Sequence, residues 1–350
     1  MRLSRFACAG LAAVLASPLG AASQLPPAID VCSFPATEVD WLQRALDGWE
    51  QVSRDFLRVD PKPLPWIVLF DASCVWHLAA DGNPSEARPV STALTFAGDP
   101  VPVRALRHNG TVLLPNGSPV PVELKASTSL YRNSRSAFFV LSMPSVWRTR
   151  DVSLAARAEF LQGVFSHEMT HTRLLVNINR RVRELASKND LVYPLNDDVI
   201  QNEFQRADGF AAAMNRERDE FYRAALEPDA ARQRLHLSRA LELVRARHAR
   251  FFKGPKAAYA ELETLFLTLE GVGQWAAYRL MNARGGGRHL EALRIVRDNR
   301  RFWSQDEGLA LFLLIDQLVP NWQSRIFTAT PASPFGLLAE VASGFSRTPR

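Results

Sequence analysis

The stretch FSHEMTHTRL, residues 165–174, places two imidazoles and a carboxylate in a segment that otherwise has the pattern of an apolar helix. Residues four apart lie on the same face of an α-helix, so His167 and His171 can both reach one Zn²⁺ at about 2.0–2.1 Å. Glu168 lies beside such a metal, where it can take a proton from a zinc-bound water whose pKa the metal lowers to about 7. It can then pass this proton to the leaving amine after attack on a carbonyl. The pattern His-Glu-x-x-His therefore predicts a catalytic zinc site with Glu168 as the general base.

The residues around the motif strengthen this prediction, because EFLQGVFSHEMTHTRLL (159–175) offers apolar side chains that a core would bury. Two histidines and a glutamate in such a helix cost stability unless a partner satisfies them. The alternative is an ordinary helix that carries a pair of surface or core histidines.

A catalytic zinc site takes a third protein ligand, and the sequence offers two candidates. The metzincin pattern would need Gly at position 174 and His at position 177, but Leu174 and Asn177 stand there. The remaining candidates are acids of later helices, Glu270 in TLEGVGQWAAY (268–278) and Glu203 in IQNEFQRADGF (200–210).

SHEMTH (166–171) together with LEGVGQW (269–275) resembles the gluzincin metallopeptidases, in which a second helix carries a glutamate ligand, often as Glu-Gly-hydrophobic-small-x-aromatic. The resemblance implies that His167, His171 and Glu270 bind zinc and that Glu168 is the general base. It covers two short motifs and the order of the elements. Glu270 follows His171 by 99 residues, a longer gap than in the best-known members.

Glu203 has a rival case, because NEFQRAD (202–208) resembles the thermolysin-type Asn-Glu-x-x-x-Asp helix with its Asp208 one position late. We favour Glu270 as the ligand. If Glu270 binds the metal, Glu203 or Asp208 could instead hydrogen-bond a ligand imidazole from behind. The alternative for both acids is a solvated helix face.

An oxyanion formed during hydrolysis needs a hydrogen-bond donor, and the sequence does not select one. The available side chains are Tyr193, Tyr222, Tyr259, Tyr278, His236 and His248. Each is more simply a half-buried aromatic residue or a surface histidine, and His77 and His108 are interpreted as structural.

Residues 1–23 have the layout of a secretory signal peptide, with a positive start, a short apolar stretch and small residues before the predicted cleavage site. That stretch and the apolar segment 309–319 are both too short to cross a bilayer comfortably. Cleavage would remove Cys8 and leave Cys32 and Cys74, most simply as one disulfide. We therefore expect an exported protein, periplasmic or extracellular, without a membrane span after cleavage.

The composition predicts a globular α+β protein. Of the 350 residues, 47% are hydrophobic and 22% are charged, and the net charge of +6 is spread over many helix faces, which argues against a nucleic-acid surface. Residues 24–150 predict a helix and a small, mostly antiparallel sheet with an edge strand that could pair with an extended peptide. Residues 151–350 predict a largely helical, zincin-like part that carries the metal site.

Several boundaries follow from local signals. Thr37 is expected to cap the first helix, over 36–57. Asn109-Gly110 and Asn116-Gly117 predict hairpin turns. The motif helix is expected over about 153–187, with a break near 177–179, and a further helix over 199–226. Strands are expected at WIVLF (66–70) and around 137–142, the latter directly before the motif helix.

The function that these features favour is an exported zinc metallohydrolase, most simply a peptidase acting on a peptide or protein. One alternative is an exported binding or scaffold protein with a structural or degenerate metal site. Another is a metal-free helical interaction protein. The sequence indicates neither the substrate nor the oligomeric state.

Overall fold

The computed structural model describes residues 32–79, 86–131, 135–150, 158–297 and 301–345. Strands dominate the first part of this chain and helices the second, which confirms the α+β prediction. The predicted signal peptide lies outside the described residues. No helix among the described residues is long and apolar enough to cross a membrane.

Short strands follow the first helix. The strands of the described residues are β1 (Trp66–Phe70), β2 (Cys74–Leu78), β3 (Arg88–Val90), β4 (Thr95–Phe96), β5 (Asp99–Pro100), β6 (Val103–Arg107), β7 (Thr111–Leu113), β8 (Pro119–Pro121), β9 (Ala126–Leu130) and β10 (Ala137–Ser142). Six of them form a mixed sheet in the order β3-β6-β2-β1-β10-β9. Only β1 and β10 pair in parallel within that sheet, as the short connections elsewhere in the sequence predict.

The two faces of the sheet have different covers. Side chains alternate along each strand, so Ile67 and Leu69 of β1 face the helices whereas Val68 and Phe70 face the other way. The hairpin of β7 and β8 packs on this second, outer face. The turn predicted at 116–117 connects that hairpin. The hairpin predicted at 109–110 is wrong, because β6 pairs with β2 and β3 rather than with β7.

The disulfide predicted between Cys32 and Cys74 is present, with a Cα–Cα distance of 5.9 Å. It ties the beginning of the described chain to the first residue of β2. A disulfide is compatible with an exported protein, because oxidising compartments are where such bonds persist.

Helices make up most of the remaining chain. They are α1 (Ala36–Gln51), α2 (Pro144–Arg150), α3 (Ala158–Lys188), α4 (Val199–Phe204), α5 (Phe210–Leu226), α6 (Ala230–Phe251), α7 (Tyr259–Arg284), α8 (His289–Val296), α9 (Trp303–Leu318), α10 (Gln323–Ile326) and α11 (Pro334–Phe345). α3, α7 and α9 form consecutive layers behind the sheet.

Local signals misplaced several boundaries. Thr37 lies inside α1, where no side chain caps the first turn, and the final turns over Val52–Leu57 are π-helical. The short helix α2 separates β10 from the motif helix. α3 continues through 177–179 because the Asn177 side chain donates to Thr328 O at 3.1 Å, away from its own helix. The helix predicted over 199–226 is two helices, with Gly209 at φ +79° before the second.

Glycines set the distance between two of the central helices. A Cβ atom on Gly271 of α7 would lie 2.7 Å from the backbone oxygen of Gly308 in α9. The two backbones are therefore in direct contact at this point, and α7 is held deep in the helical part. This contact fixes the position of Glu270, the residue before Gly271.

Candidate metal centre

Two helices bring the predicted ligands together. α3 carries His167 and His171 on one face, with their ring centroids 4.3 Å apart, and α7 presents Glu270 to them. His167 Nε2 lies 3.3 Å from Glu270 Oε2, and His171 Nε2 lies 3.5 Å from Glu270 Oε1. One donor atom from each of the three lies within 4.8 Å of the others. Such a set of atoms can surround a single cation.

The three side chains are buried, and two of their atoms have no hydrogen-bond partner. His171 Nε2 and Glu270 Oε2 are both unsatisfied within the described part of the chain, and the exposed fraction of Glu270 is 3%. An unpaired buried carboxylate or imidazole nitrogen costs free energy that a folded protein avoids. A divalent cation between them would satisfy both atoms.

A glycine makes the space in which these rings lie. A Cβ atom on Gly273 of α7 would lie 2.8 Å from His167 Nδ1 and 2.9 Å from His171 Nε2. Any larger residue would displace the two imidazoles. Gly273, three residues after Glu270, thus leaves the space in which both rings can face the Glu270 carboxylate.

Asp197 is a member of this site that the sequence analysis missed. It lies in the turn before α4, where its charge acts on His167, Glu168 and Glu270. Gln305 of α9 also lies beside the Glu270 carboxylate and acts against the rise in its pKa. No periodic pattern points to Asp197, because it lies in a loop, and an acid before a helix is ordinarily taken as part of the helix start.

Burial shifts the protonation of this cluster toward its neutral forms. Desolvation raises the pKa of Glu168 to about 7 and raises the pKa of Glu270 well above its usual range. Desolvation also lowers the pKa of His167 and of His171. Neutral imidazoles are the form that binds a metal, and a bound cation would reverse the effect on the carboxyl groups.

The general-base candidate is held by the sheet. Thr128 of β9 donates its hydroxyl to Glu168 Oε2 at 2.9 Å and lies 2.8 Å from the backbone oxygen of the same residue. Glu168 Oε2 also lies 3.6 Å from His171 Nδ1. The Glu168 side chain therefore lies between the ligand helix and the sheet.

The strand next to the site is β9, which is the edge of the sheet in the described part of the chain. Tyr131 N donates to Ser136 O at 2.9 Å, and hydrogen-bonded residues alternate in an antiparallel pair. Alternate residues of β9 consequently point their backbone N–H and C=O groups away from β10. These residues are Ala126, Thr128 and Leu130. The strand before the motif helix in sequence, β10, lies inside the sheet.

Other candidate residues lie elsewhere. Glu203 pairs with Lys256 at 2.7 Å, and the backbone oxygen of Asp208 accepts from Arg250. Neither acid is among the residues that contact the two imidazoles in the described structure.

The six oxyanion candidates also have contacts away from the cluster. Their partners are Asn179 for Tyr193, Asp306 for Tyr222, Phe204 for Tyr259, His289 for Tyr278, Glu220 for His236 and Glu263 for His248. None of these contacts involves the metal-binding candidates, so the described residues do not single out an oxyanion donor from the set.

Comparison of the chain with protein-family models, with curated proteins and with solved structures found no match. The chemistry of the site therefore has to be argued from its own residues. Two imidazoles and one carboxylate, with unsatisfied donor atoms and a glycine-made space, fit the ligand set of a catalytic zinc ion.

Proposed function

We propose that the protein is a zinc-dependent hydrolase, most simply an exported peptidase, with His167, His171 and Glu270 as the metal ligands. The observation that carries this proposal is the convergence of three buried ligand groups, two of which hold atoms without a partner. The resemblance of the two motifs to gluzincins supports the same ligand set. Residues 1–23 and the disulfide between Cys32 and Cys74 support export.

The protein's own groups have separate roles in this proposal. A bound zinc ion would supply Lewis acidity and a more acidic water. Glu168 accepts and returns the proton, since its carboxylate lies beside the ligands and its Oε2 is positioned by Thr128. Asp197 and Gln305 lie beside Glu270, where they can orient this ligand from outside the metal's coordination sphere.

The edge of the sheet favours a peptide as the substrate. The outward N–H and C=O groups of β9 can pair with an extended chain by strand addition. Because Thr128 of this strand contacts Glu168, a peptide paired there would place its backbone next to the general base.

The test compares Glu168→Gln with Glu261→Gln, an exchange at a half-exposed acid that pairs with Arg181. Both proteins are purified without a histidine tag, their zinc is measured by mass spectrometry, and a peptide library is digested with and without a chelator. We expect Glu168→Gln to keep its zinc and to lose about 10²–10⁴-fold in turnover. Unchanged turnover would refute Glu168 as the base, and a zinc content near zero in the parent protein would end the metal proposal.

A second candidate is an exported binding protein with a structural metal site, and Asp197 is the observation that favours it. Structural zinc sites are closed by four protein ligands, whereas catalytic sites keep a position open. Asp197 lies outside the three converging ligands but close enough for its charge to act on His167 and Glu270, so a rearrangement of its side chain could supply the fourth ligand. If the site is closed, Asp197→Ala should lower zinc affinity in a protein that never cleaves a peptide. If the site is catalytic, the parent protein turns over peptides and the variant is impaired.

A further inference from the structure

The outer face of the sheet carries a cavity that none of the metal-ligand candidates lines. The hairpin of β7 and β8 covers only part of this face, and beside it lies a cavity of about 830 Å³. A second cavity of about 370 Å³ adjoins it, and His77 lines both. Cavities of roughly 300–1,000 Å³ are the size that ligands occupy in proteins.

His77 contributes a hydrogen-bond donor to this cavity. Its side chain is 4% exposed, and its Nδ1 accepts a hydrogen bond from Trp66 Nε1 at 3.0 Å. The neutral ring therefore carries its proton on Nε2, and no hydrogen bond from that atom to another described residue is present. Burial lowers the pKa of His77 to about 4, so the ring stays neutral at physiological pH. A ligand that reaches His77 therefore meets a neutral imidazole ring.

The walls of the cavity are aromatic and apolar. The rings of Trp66 and Tyr131 lie 5.8 Å apart at an interplanar angle of 35°, and both are half-buried. Leu113 of the hairpin also lines the cavity and is 64% exposed. Such a lining suits a flat ring, since aromatic rings gain most from tilted or offset contacts with other rings. Glu86 and Arg107 at the rim are of opposite charge, so the rim does not select a charged ligand.

The cavity is continuous with the edge strand. Tyr131 directly follows β9, and Thr128 of the same strand contacts Glu168. Three residues of a strand span about 10 Å, so the aromatic wall begins about that far from the residue that contacts the general base. A peptide paired along β9 would therefore reach Tyr131 with a side chain on the outer face.

We propose that this cavity binds an aromatic side chain of an extended peptide, with its ring against Trp66 and Tyr131 and with His77 lining the inner part of the cavity. The identity of that peptide as the substrate rests on the proposed function, and the binding itself does not. The occupant is a residue near, not at, the bond to be cleaved.

The binding test uses saturation-transfer difference NMR on the full chain in the presence of a chelator, which prevents cleavage. The probes are acetyl-Gly-Phe-Gly-amide and acetyl-Gly-Ala-Gly-amide. With the parent protein, we expect saturation transfer to the phenyl protons of the phenylalanine peptide. The dissociation constant of the alanine peptide should be at least about tenfold higher. Equal signals from the two peptides would overturn the proposal.

Two exposed leucines give a matched pair of variants. Leu113→Ser removes one wall of the cavity, whereas Leu235→Ser changes a residue of α6 with a similar exposed fraction, 66% against 64%. Both variants should fold, because neither side chain is buried. We expect Leu113→Ser to weaken binding of the phenylalanine peptide by about threefold to tenfold and Leu235→Ser to leave it unchanged. Identical affinities in the two variants would exclude the cavity as the binding site.

A kinetic measurement separates this proposal from the proposed function. With the zinc-loaded protein and a cleavable peptide that contains phenylalanine, we expect Leu113→Ser to raise KM by a similar factor with kcat unchanged. An unchanged KM together with weaker binding of the probe would show that the cavity binds a peptide other than the substrate. A protein that binds the probe but holds no zinc would refute the proposed function and keep the binding site.

Discussion

α7 carries two buried glutamates seven residues apart, and the difference between their surroundings explains what each one does. Glu263 and Glu270 lie two turns apart, about 10.5 Å along the same face of the helix. Glu263 hydrogen-bonds the guanidinium of Arg247 at 2.8 and 2.9 Å and His248 at 2.7 Å. Glu270 instead faces two neutral imidazoles and a second acid, Asp197.

The cation that pairs with Glu263 is a side chain of the protein itself, Arg247. Arg247 is fully buried, hydrogen-bonds Glu217 as well as Glu263, and lies over the rings of Phe210 and Phe252. Its charge balances the carboxylates, and it lowers the pKa of Glu263 despite the cost of burial. The cluster thereby joins α5, α6 and α7.

The second cluster has an excess of acid and no such partner. No Lys or Arg of the described residues forms an ion pair with Glu270, whose pKa burial and Asp197 both raise. A buried glutamate of α7 is therefore structural where the fold supplies a cation, and it is a ligand candidate where the fold supplies none.

Removing each glutamate in turn should have the largest effect on zinc binding. Zinc binds structural sites with about 10–16 kcal/mol, so losing one of three ligands should cost roughly 4 kcal/mol, or about a thousandfold in Kd. We therefore expect Glu270→Ala to lose zinc affinity by about that factor and Glu263→Ala to retain it. Competition with a chromophoric chelator measures both constants, at a temperature where circular dichroism shows both proteins folded. Equal losses in the two variants would contradict the distinction.

Removing the built-in cation should destabilise the fold without touching the metal. Arg247→Leu leaves buried carboxylates without a partner, and breaking a buried pair costs about 3–5 kcal/mol. Urea unfolding should show this loss, whereas the zinc affinity of the folded protein stays the same. The control is Arg181→Leu, which removes a half-exposed pair with Glu261 and should cost less than about 1 kcal/mol. If Arg247→Leu leaves the free energy of unfolding unchanged, the cluster contributes nothing to stability.

A smaller effect is expected from filling the space beside the imidazoles. Gly273→Ala places a methyl group within 3 Å of both rings, and overpacking of this kind costs about 1–3 kcal/mol. We expect zinc affinity to fall by roughly 5- to 150-fold, as measured by the same chelator competition. Gly344→Ala is the matched helical control, since a Cβ there meets nothing within 4 Å. If the two glycine variants bind zinc equally well, Gly273 has no role in the site.

The sequence predicts the parts of the site that depend on spacing along a helix. His167 and His171 share a face because they are four residues apart, and β1 and β10 form where apolar residues run between turn signals. The position of Glu270 opposite the histidines depends on how α3 packs on α7. The two motifs at 166–171 and 269–275 indicated this packing by their resemblance to the paired helices of gluzincins.

The rest depends on tertiary packing that no periodic pattern encodes. Asp197 reaches the site only because of the path of the loop before α4. Arg247 looks like one more basic residue of a solvated helix, yet it is fully buried, since its partners come from other helices. The cavity beside His77 exists because the hairpin covers only part of the outer face.

Glu307 of α9 is a buried acid without a cation of its own. It lies beside Glu217, the acid that also binds Arg247, and neither of its carboxyl oxygens has a hydrogen-bond partner among the described residues. Burial and the neighbouring carboxylate raise the pKa of Glu307 well above 4.5. We infer that Glu307 keeps its proton in the folded protein.

This assignment fixes the sign of a pH effect. Below pH 4.5 Glu307 is protonated in both the folded and the unfolded protein. Above pH 4.5 only the unfolded chain releases this proton, because the pKa of Glu307 in the folded protein is higher. The free energy of unfolding therefore falls as the pH rises between these two pKa values, by at most about 1.4 kcal/mol per pH unit. Glu307→Gln is close in size to the protonated acid and cannot ionise. Urea unfolding with a chelator present should therefore show the variant equal to the parent near pH 4 and more stable by about 1 kcal/mol or more at pH 7. Glu307→Leu, which places an apolar side chain beside the Glu217 carboxylate, should be less stable at both pH values by about 1–3 kcal/mol. Parallel pH profiles for Glu307→Gln and the parent would mean that Glu307 is ionised when folded, and the balance of charge inferred for the Arg247 cluster would then be wrong.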